Sequence, residues 1–156
     1  MSEPARLEDR IGEIVREVRF PVEAGKIAEF ARAMKDPSPL YAESEAARAA
    51  GFDTVPAPLT FSTASAHYAG GDATDLPLRM GLDLSRTVHG EQKWEYHKPM
   101  LAGQVLTGIS RIAQVDRKQG RNGEMLRILI ETQFRDENDE LVVTERMLTI
   151  EMPAQK

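Results

Sequence analysis

The sequence predicts an α+β domain, because helical patterns fill its first half and strand patterns fill its second half, with the division near Leu82. This segregation disfavours a parallel sheet built from alternating strands and helices. The length of 156 residues is that of one compact domain, so we expect a single domain over residues 1–156. Hydrophobic residues make up 41% and charged residues 29% of the chain, the balance of a folded globular protein.

The first half begins with one strand and two short helices. β-forming side chains predict a strand over residues 14–22, and apolar residues at helical spacing predict an amphipathic helix over 23–34. Residues 36–41 contain two prolines and cannot continue that helix, so we expect a rigid loop. A second short helix begins at Ser44 and ends at Gly51.

A third helix is predicted to begin at Pro58. The run from Leu59 to Tyr68 has mostly small and apolar residues and no Asp, Glu, Lys or Arg, which is typical of a helix surrounded by protein. Pro58 suits a first helical position, where its missing N–H is not needed, and Gly70-Gly71 end the helix. We expect a flexible loop from Gly70 to Arg79.

The second half predicts four strands of one antiparallel meander. They cover about residues 87–98, 104–117, 125–135 and 141–152, with turn residues in 99–103, 119–123 and 136–139. In the first of these strands Gln92, Trp94 and Tyr96 share one face with Val88 and Gly90, which we predict is buried, and the charged residues share the other. A curved antiparallel sheet wrapped round one central helix is the hot-dog fold, and the sequence therefore predicts a single hot-dog domain.

Charge and composition exclude several classes of function. The formal net charge of -5 lacks the basic character that binding to nucleic acid demands. The absence of cysteine excludes disulfides, thiolate metal sites and cysteine nucleophiles. No apolar run has the length of a signal peptide or of a membrane span, so we expect a cytoplasmic protein without a membrane partner.

Two segments resemble the MaoC-like family of acyl-thioester dehydratases and hydratases. The first is Asp36-Pro37-Ser38-Pro39-Leu40-Tyr41, followed by a short helix ending at Gly51 and by Ala57-Pro58-Leu59-Thr60-Phe61. In the family the corresponding pattern is Gly-Asp-x-Asn-Pro-aliphatic-His. Here Lys35 replaces the Gly, Ser38 replaces the Asn, and Tyr41 stands where the His is expected.

The second segment runs from Val88 to Pro99 and continues through Ala102-Gly103-Gln104-Val105-Leu106. It resembles the N-terminal domains of type-I-synthase-like dehydratases and the non-catalytic A subunit of mycolic-acid 3-hydroxyacyl dehydratases, which also has a Tyr at the position of the His. The resemblance covers residue 21 to the C-terminus. It implies an acyl-CoA or acyl carrier protein thioester as substrate, no cofactor, and a homodimer or a heterodimer with a related hot-dog chain.

The resemblance makes Asp36 and Tyr41 the candidate catalytic residues. Water addition to an enoyl thioester needs a base for the water and a proton donor for C2, a task for a carboxylate and an imidazole. Asp36 supplies the carboxylate, or alternatively serves as a turn residue that binds its own backbone. Tyr41 is an acid with an ordinary pKa near 10, and the alternative is a packed aromatic residue.

Three further residues are candidates for substrate binding. The N–H of Leu59 or Thr60, at the start of the third helix, is predicted to bind the thioester oxygen in the transition state, because Pro58 cannot donate. His67 lies on the same helix and is either a substrate contact or a helix-end residue. His89 and His97 fall on the charged face of their strand, where we expect solvated or interface residues. His89 with Glu91, or His97 with Glu95, has a spacing that could share a metal, but no third ligand is visible, so we predict no metal site.

Three hypotheses about function remain. The chain is a substrate-pocket subunit of a dehydratase or hydratase whose partner carries the Asp/His pair. Alternatively it is a self-sufficient homodimeric (R)-specific enoyl-CoA hydratase that uses Asp36, with Tyr41 or His67. The third hypothesis is a module that binds acyl-CoA without reaction.

Overall fold

The computed structural model describes residues 6–70 and 75–154. The strands are β1 Ile14–Pro21, β2 Thr87–Tyr96, β3 Val105–Gly120, β4 Gly123–Arg135 and β5 Leu141–Glu151. The α-helices are α1 Ala24–Ala33, α2 Ser44–Ala49 and α3 Asp75–Arg79. Short 3-10 helices cover Leu7–Arg10, Pro39–Tyr41, Phe61–Tyr68 and Leu84–Arg86, and Phe61–Tyr68 is called the central helix below.

The predicted α+β class and the hot-dog fold are confirmed. All five strands belong to one antiparallel sheet, and the central helix packs against it. Phe61 of this helix is 1% exposed, and its ring centroid lies 5.5 Å from that of Phe20 in β1. Phe20 in turn contacts Phe134 of β4, so aromatic side chains fix the helix to the sheet.

The predicted meander is wrong in its strand order. The sheet runs β1-β3-β4-β5-β2, so β2 pairs with β5 rather than with β3. Residues 99–103 therefore form a crossing segment and not a hairpin turn. Its backbone bonds to other connecting segments instead, with Ala102 N–H donating to Val55 O and Gly103 N–H donating to Val22 O. The other two predicted turns do connect neighbouring strands, β3 with β4 and β4 with β5.

The third predicted helix also differs from the expectation. It begins at Phe61 rather than at Pro58 and has 3-10 geometry. Its Ser62 and Ser65 are buried, whereas Thr63 and His67 are exposed, so one side of the helix faces solvent. The loop expected from Gly70 to Arg79 contains the helix α3, and its residues 71–74 lie outside the described residues.

The buried apolar side chains form two clusters, one on each half of the sheet. The first surrounds Phe20, Phe61 and Phe134 and is joined by Ile27 of α1. The second surrounds Ile112 and Ile130 and includes Leu76 and Met80, from and beside α3. Each cluster buries one end of the sheet, and the polar site described below lies between the central helix and the strands. No helix in the described part of the chain is both long and apolar enough to cross a bilayer.

Candidate functional site

The loop that carries Asp36 and Tyr41 begins where α1 ends. Lys35 adopts a positive φ of 58°, the region that favours glycine, and this is the position at which the family pattern has Gly. The positive φ of Lys35 turns the chain back, so Asp36 N–H donates to Ala31 O at 2.9 Å and closes the end of the helix. The backbone then leaves α1 and enters the 3-10 turn Pro39–Tyr41.

Asp36 is exposed, and its carboxylate binds the backbone of its own loop. Its Oδ1 accepts a hydrogen bond from Ser38 N–H at 3.0 Å, and Ser38 Oγ accepts one from Leu40 N–H at 3.3 Å. These two contacts shape the turn, as Asp and Ser commonly do. The other carboxylate oxygen of Asp36 has no partner in the described residues.

Tyr41 is half-buried and packs against the first core cluster. Within residues 6–70 and 75–154 its hydroxyl makes no hydrogen bond with a protein group. The side chain thus fills a place in the core with its ring. Its role in catalysis remains a prediction.

Leu59 and Thr60 lie on the segment that leads into the central helix. Tyr96 OH donates to Leu59 O, and Thr63 N–H and Oγ1 donate to Thr60 O at 3.1 and 2.7 Å. Their carbonyls are therefore used, but neither N–H donates to an acceptor in the described residues. Unused N–H groups at a helix entry are available to an oxygen of a ligand, so the predicted role of Leu59 and Thr60 stays open to test.

His67 lies on the exposed side of the central helix. The structure records no hydrogen bond from it to a described residue. Its predicted part in substrate binding remains a prediction.

A cavity of about 440 Å³ lies between the central helix and the sheet, and we call it the helix–sheet cavity. Its volume falls within the range of roughly 300–1,000 Å³ that is common for small-molecule sites. Thr63, Ser65 and Ala66 line it from the helix, and α3 adds Leu76 and Arg79. None of the five predicted site residues lines this cavity.

Beside the cavity lies a polar cluster that we call the Glu145 cluster. It is formed by Ser62 of the central helix and by Arg16, Gln92, Trp94 and Glu145 of the sheet. Ser62 Oγ donates to Glu145 Oε2 at 2.8 Å, and Trp94 Nε1 donates to Ser62 Oγ at 3.0 Å. Gln92 Nε2 donates to Glu145 Oε1. The strand register explains why these side chains lie close together, because Glu145 of β5 lies opposite Trp94 of β2 and Thr132 of β4.

Burial determines the titration of the charged members of this cluster. Desolvation raises the pKa of Glu145 above its ordinary value, although Ser62, Arg16, Gln92 and His89 each act to lower it. Desolvation likewise lowers the pKa of Arg16, which the charge of Glu145 opposes. Burial and the same carboxylate raise the pKa of Tyr96 to about 12, so its hydroxyl stays protonated.

His89 is exposed, as predicted, but a bulge in β2 places it on the cavity face of the strand and not on the charged face. The register shifts between His89 and Glu91, and Gly90 is left without a partner in β5. His89 consequently lines the same cavity as Gln92, although strict alternation places them on opposite faces. The predicted burial of Gln92, Trp94 and Tyr96 is confirmed in part, since all three are half-buried, but Val88 is 47% exposed.

Sequence reasoning missed Arg16, Ser62, Gln92 and Glu145 as a group. Arg16 follows the buried Val15 on β1 and lies under the central helix, and Glu145 interrupts the apolar pattern of β5 after three buried residues. A charged residue within the buried part of a strand was the signal that could have identified Arg16 and Glu145.

The fold and the loop pattern together define a hot-dog protein of the MaoC-like dehydratase and hydratase group. The model of the FAS1-like dehydratase domain region matches residues 9–145, and the chain belongs to this family. Over 126 residues the chain is 41% identical to the UPF0336 protein of Streptomyces avermitilis, and the match covers 80% of this chain and 81% of that protein.

Solved structures with similar folds include two complexes from Mycobacterium tuberculosis. A chain of the HadBC (3R-hydroxyacyl-ACP dehydratase) complex is 29% identical, with a TM-score of 0.72 over 91% of this chain and 97% of that one. A chain of the ChsH1–ChsH2 complex is 25% identical, with a TM-score of 0.72 over 90% of this chain and 84% of that one.

Proposed function

We propose that this chain is the substrate-pocket subunit of a dehydratase or hydratase that acts on an acyl-CoA or acyl carrier protein thioester. Its partner is a related hot-dog chain that carries the Asp/His pair. The observation that carries this proposal is Tyr41, a phenol packed against the core at the position of the family's imidazole. A phenol exchanges protons less readily at neutral pH than an imidazole does.

The state of Asp36 supports the same proposal. One of its carboxylate oxygens is bound to Ser38 N–H within the turn, and the side chain is exposed rather than enclosed with a proton donor. A general base needs a substrate water within hydrogen-bond reach and a pKa near the working pH, which enclosure normally provides. We therefore assign Asp36 to the shape of the loop.

Two similar structures support a paired assembly, because each is named as a complex of two different chains, HadBC and ChsH1–ChsH2. The exposed edge of this chain supports it as well. β2 lies at one end of the sheet, so one side of its backbone has no neighbouring strand in the described residues. Two exposed apolar side chains lie on this strand or just before it, Val88 at 47% and Leu84 at 37%. A related chain placed along this edge would cover them.

In the proposed reaction the partner supplies the catalytic groups and this chain binds the substrate. The partner's carboxylate takes a proton from water, whose oxygen adds to C3 of the enoyl thioester as the C2–C3 double bond breaks, and the partner's imidazolium gives its proton to C2. The proton on the carboxyl group then returns to the imidazole, which restores the pair. This chain binds the acyl group in the helix–sheet cavity. The N–H groups of Leu59 and Thr60 are the donors it can offer to the thioester oxygen.

The test uses the complex of this chain with a hot-dog chain of the same genome that has an intact Asp-x-Asn-Pro-aliphatic-His motif. Hydration of crotonyl-CoA is measured for the wild-type complex and for two variants. Replacing the partner's motif Asp by Asn should lower kcat by roughly 10²–10⁴-fold, whereas Asp36→Asn should leave kcat within about twofold.

Asp53→Asn serves as the control, because Asp53 is also exposed and lies outside the loop. Loss of turnover with Asp36→Asn in a folded complex, while Asp53→Asn stays active, would contradict the proposal. That result would favour the self-sufficient hydratase that uses Asp36.

A further inference from the structure

The central helix crosses the sheet from one edge strand to the other. At its entry Tyr96 of β2 donates to Leu59 O, and at its end the ring centroid of Tyr68 lies 5.4 Å from that of Phe20 in β1. β2 and β1 are the two end strands of the sheet. The helix–sheet cavity follows this crossing, because side chains of β2, β5, β4 and β1 all line it.

The helix side of the cavity is a straight row of side chains. A 3-10 helix has three residues per turn, so side chains three residues apart lie directly above one another. Thr63, Ala66 and the capping residue Ala69 have this spacing, and all three line the cavity. At about 2 Å per residue, the row from Thr63 to Ala69 is about 12 Å long.

The sheet side gives a similar length. Met147 of β5 lies opposite Ile130 of β4, and Ile130 lies opposite Ile112 of β3. Val15 belongs to β1, the next strand beyond β3, and it lines the cavity together with Met147 and Ile130. Because neighbouring strands are about 4.8 Å apart, the three spacings from β5 to β1 add up to about 14 Å. The side chains that mark this course are apolar, which suits a hydrocarbon.

The polar side chains Gln92 and Glu145 also line the cavity. Gln92 donates to Glu145, and Ser62 of the central helix donates to the same carboxylate. These groups therefore have partners within the protein, and a ligand beside them needs no polar group of its own.

The cavity is open at the β2 edge and closed at β1. Thr63, Val88 and His89 line it near β2 and are exposed. At the other end Val15 of β1 and Leu76 of α3 are each only 8% exposed. α3 contacts β1, and Leu76 belongs to the same core cluster as Val15. A ligand that enters at β2 therefore ends against Leu76 and Val15.

The open end lies beside the N–H groups proposed to bind the thioester oxygen. Thr63 N–H and Oγ1 both donate to Thr60 O, at 3.1 and 2.7 Å, so Thr63 is one turn away from Thr60. An acyl group whose thioester oxygen lies at Leu59 and Thr60 would enter the cavity at Thr63 and continue along Ala66 and Ala69.

The length of this course indicates the length of the acyl chain. With C–C bonds of about 1.5 Å, an extended carbon chain advances about 1.25 Å per carbon, so about 12–14 Å holds about ten carbons. The side chains at the two ends occupy part of this length.

We infer that the helix–sheet cavity binds a straight acyl chain of about eight to ten carbons, and that Ala69 and Leu76 determine this length. The inference rests on the proposed function, which assigns the cavity to the acyl group of a thioester. It adds the length class of the substrate.

The test measures the affinity of the purified chain for straight trans-2-enoyl-CoA thioesters of four to fourteen carbons by isothermal titration calorimetry. Each added carbon should tighten binding by about fourfold until the chain has eight to ten carbons, because each CH₂ group is buried in the cavity. Beyond ten carbons the affinity should stay level or fall. Tightest binding of the four-carbon thioester, or an affinity that rises by the same factor up to fourteen carbons, overturns the inference.

Ala69→Leu fills the closed half of the cavity. It should weaken binding of the ten-carbon thioester by about tenfold or more and leave that of the four-carbon thioester unchanged within about twofold. Ala33→Leu is the matched control, since Ala33 is exposed on α1 and its variant should keep the wild-type length profile. A wild-type length profile in Ala69→Leu overturns the inference.

Leu76→Ala removes the side chain against which the acyl chain ends. Its tightest binding should move to a thioester about two carbons longer. Leu78→Ala is the control, because Leu78 lies on the same helix but is 54% exposed and outside the cavity lining. If Leu76→Ala fails to fold through loss of core packing, Ala69→Leu and Ala33→Leu decide the question.

The possible results separate this inference from the proposed function. Binding that is tightest at a length outside eight to ten carbons overturns this inference and leaves the proposed function standing. Binding of none of the thioesters overturns both.

Discussion

Gly108 of β3 lies at a point where the sheet and the first core cluster leave no space for a side chain. A Cβ at this position would lie 2.6 Å from Phe134 Cε1 and 2.9 Å from Val18 Cγ1. Both neighbours are buried core residues, so neither can move aside freely. Because residue 108 has no side chain, Phe134 can pack against Phe20 and the central helix.

We expect Gly108→Ala to lower the free energy of unfolding by about 1–3 kcal/mol, because the added methyl overpacks a filled core. Gly25→Ala is the control. Gly25 lies in α1, and a methyl added there would meet nothing within 4 Å, so alanine should be neutral or stabilise by up to about 1 kcal/mol through its helix propensity. Urea unfolding of both variants measures the difference, and equal effects would contradict this account of the core.

A second residue, Glu145, should make the stability of the protein depend on pH. Because its pKa is raised in the folded state, its contribution to stability is complete below about pH 4.5, the ordinary Glu value, and is lost as the pH rises through the folded-state pKa. Gln cannot ionise. The stability of Glu145→Gln relative to wild type should therefore increase as the pH is raised across this interval, as measured by denaturant unfolding between about pH 4 and 8.

A difference between Glu145→Gln and wild type that stays constant with pH would show that burial does not perturb this carboxyl. Glu91→Gln is a suitable control, because Glu91 is exposed on β2. Its difference from wild type should vary little over the same range.

At the scale of elements, the entry to the central helix is tied to the edge strand of the sheet. Tyr96 of β2 donates its hydroxyl to Leu59 O, and burial keeps that phenol protonated with a pKa of about 12. The same segment bonds to the crossing segment, with Ala57 N–H donating to Met100 O at 2.8 Å. The position of the Leu59 and Thr60 N–H groups thus depends on contacts with β2 and with residues 99–103.

We expect Tyr96→Phe to lower the free energy of unfolding by about 1 kcal/mol, since it removes one hydrogen bond and leaves the Leu59 carbonyl without its donor. Tyr41→Phe removes a hydroxyl that has no protein partner in the described residues, and its stability should stay within about 0.5 kcal/mol of wild type. Thermal and urea unfolding check both values. A larger loss for Tyr41→Phe than for Tyr96→Phe would contradict the hydrogen-bonding pattern.

Some of the strands and helices could be predicted from the sequence, and others could not. Alternating β-formers predict β3, β4 and β5 to within a few residues, and Gly51 predicts the end of α2, because these signals are local. The pairing of β2 with β5 is not local, and the short segment 99–103 resembles a hairpin turn in composition. The helix α3 was missed because Pro77 stands inside its five residues.

At the scale of the whole molecule, the site combines parts that are distant in sequence. The loop 36–41 and the Pro58 segment could be predicted from a motif, because their residues lie close together along the chain. Arg16 and Glu145 come from strands near opposite ends of the chain, and only the sheet order brings them to one cavity. His89 joins them through the bulge at Gly90, which the sequence pattern does not reveal.

The proposed assembly rests on the same arrangement. The edge strand β2, the exposed apolar residues beside it and the replacement of the family's His by Tyr41 all favour a partner that completes the site. If the partner supplies the catalytic pair, the isolated chain should bind substrate, but it should convert the substrate only in the complex.

The most direct measurement is crotonyl-CoA hydration by the purified chain alone, compared with the same chain after addition of a partner that has the Asp/His motif. We predict no turnover above the buffer rate for the isolated chain, and hydration that increases with added partner until the complex is saturated. Robust turnover by the isolated chain, abolished by Asp36→Asn in a folded protein, would contradict it.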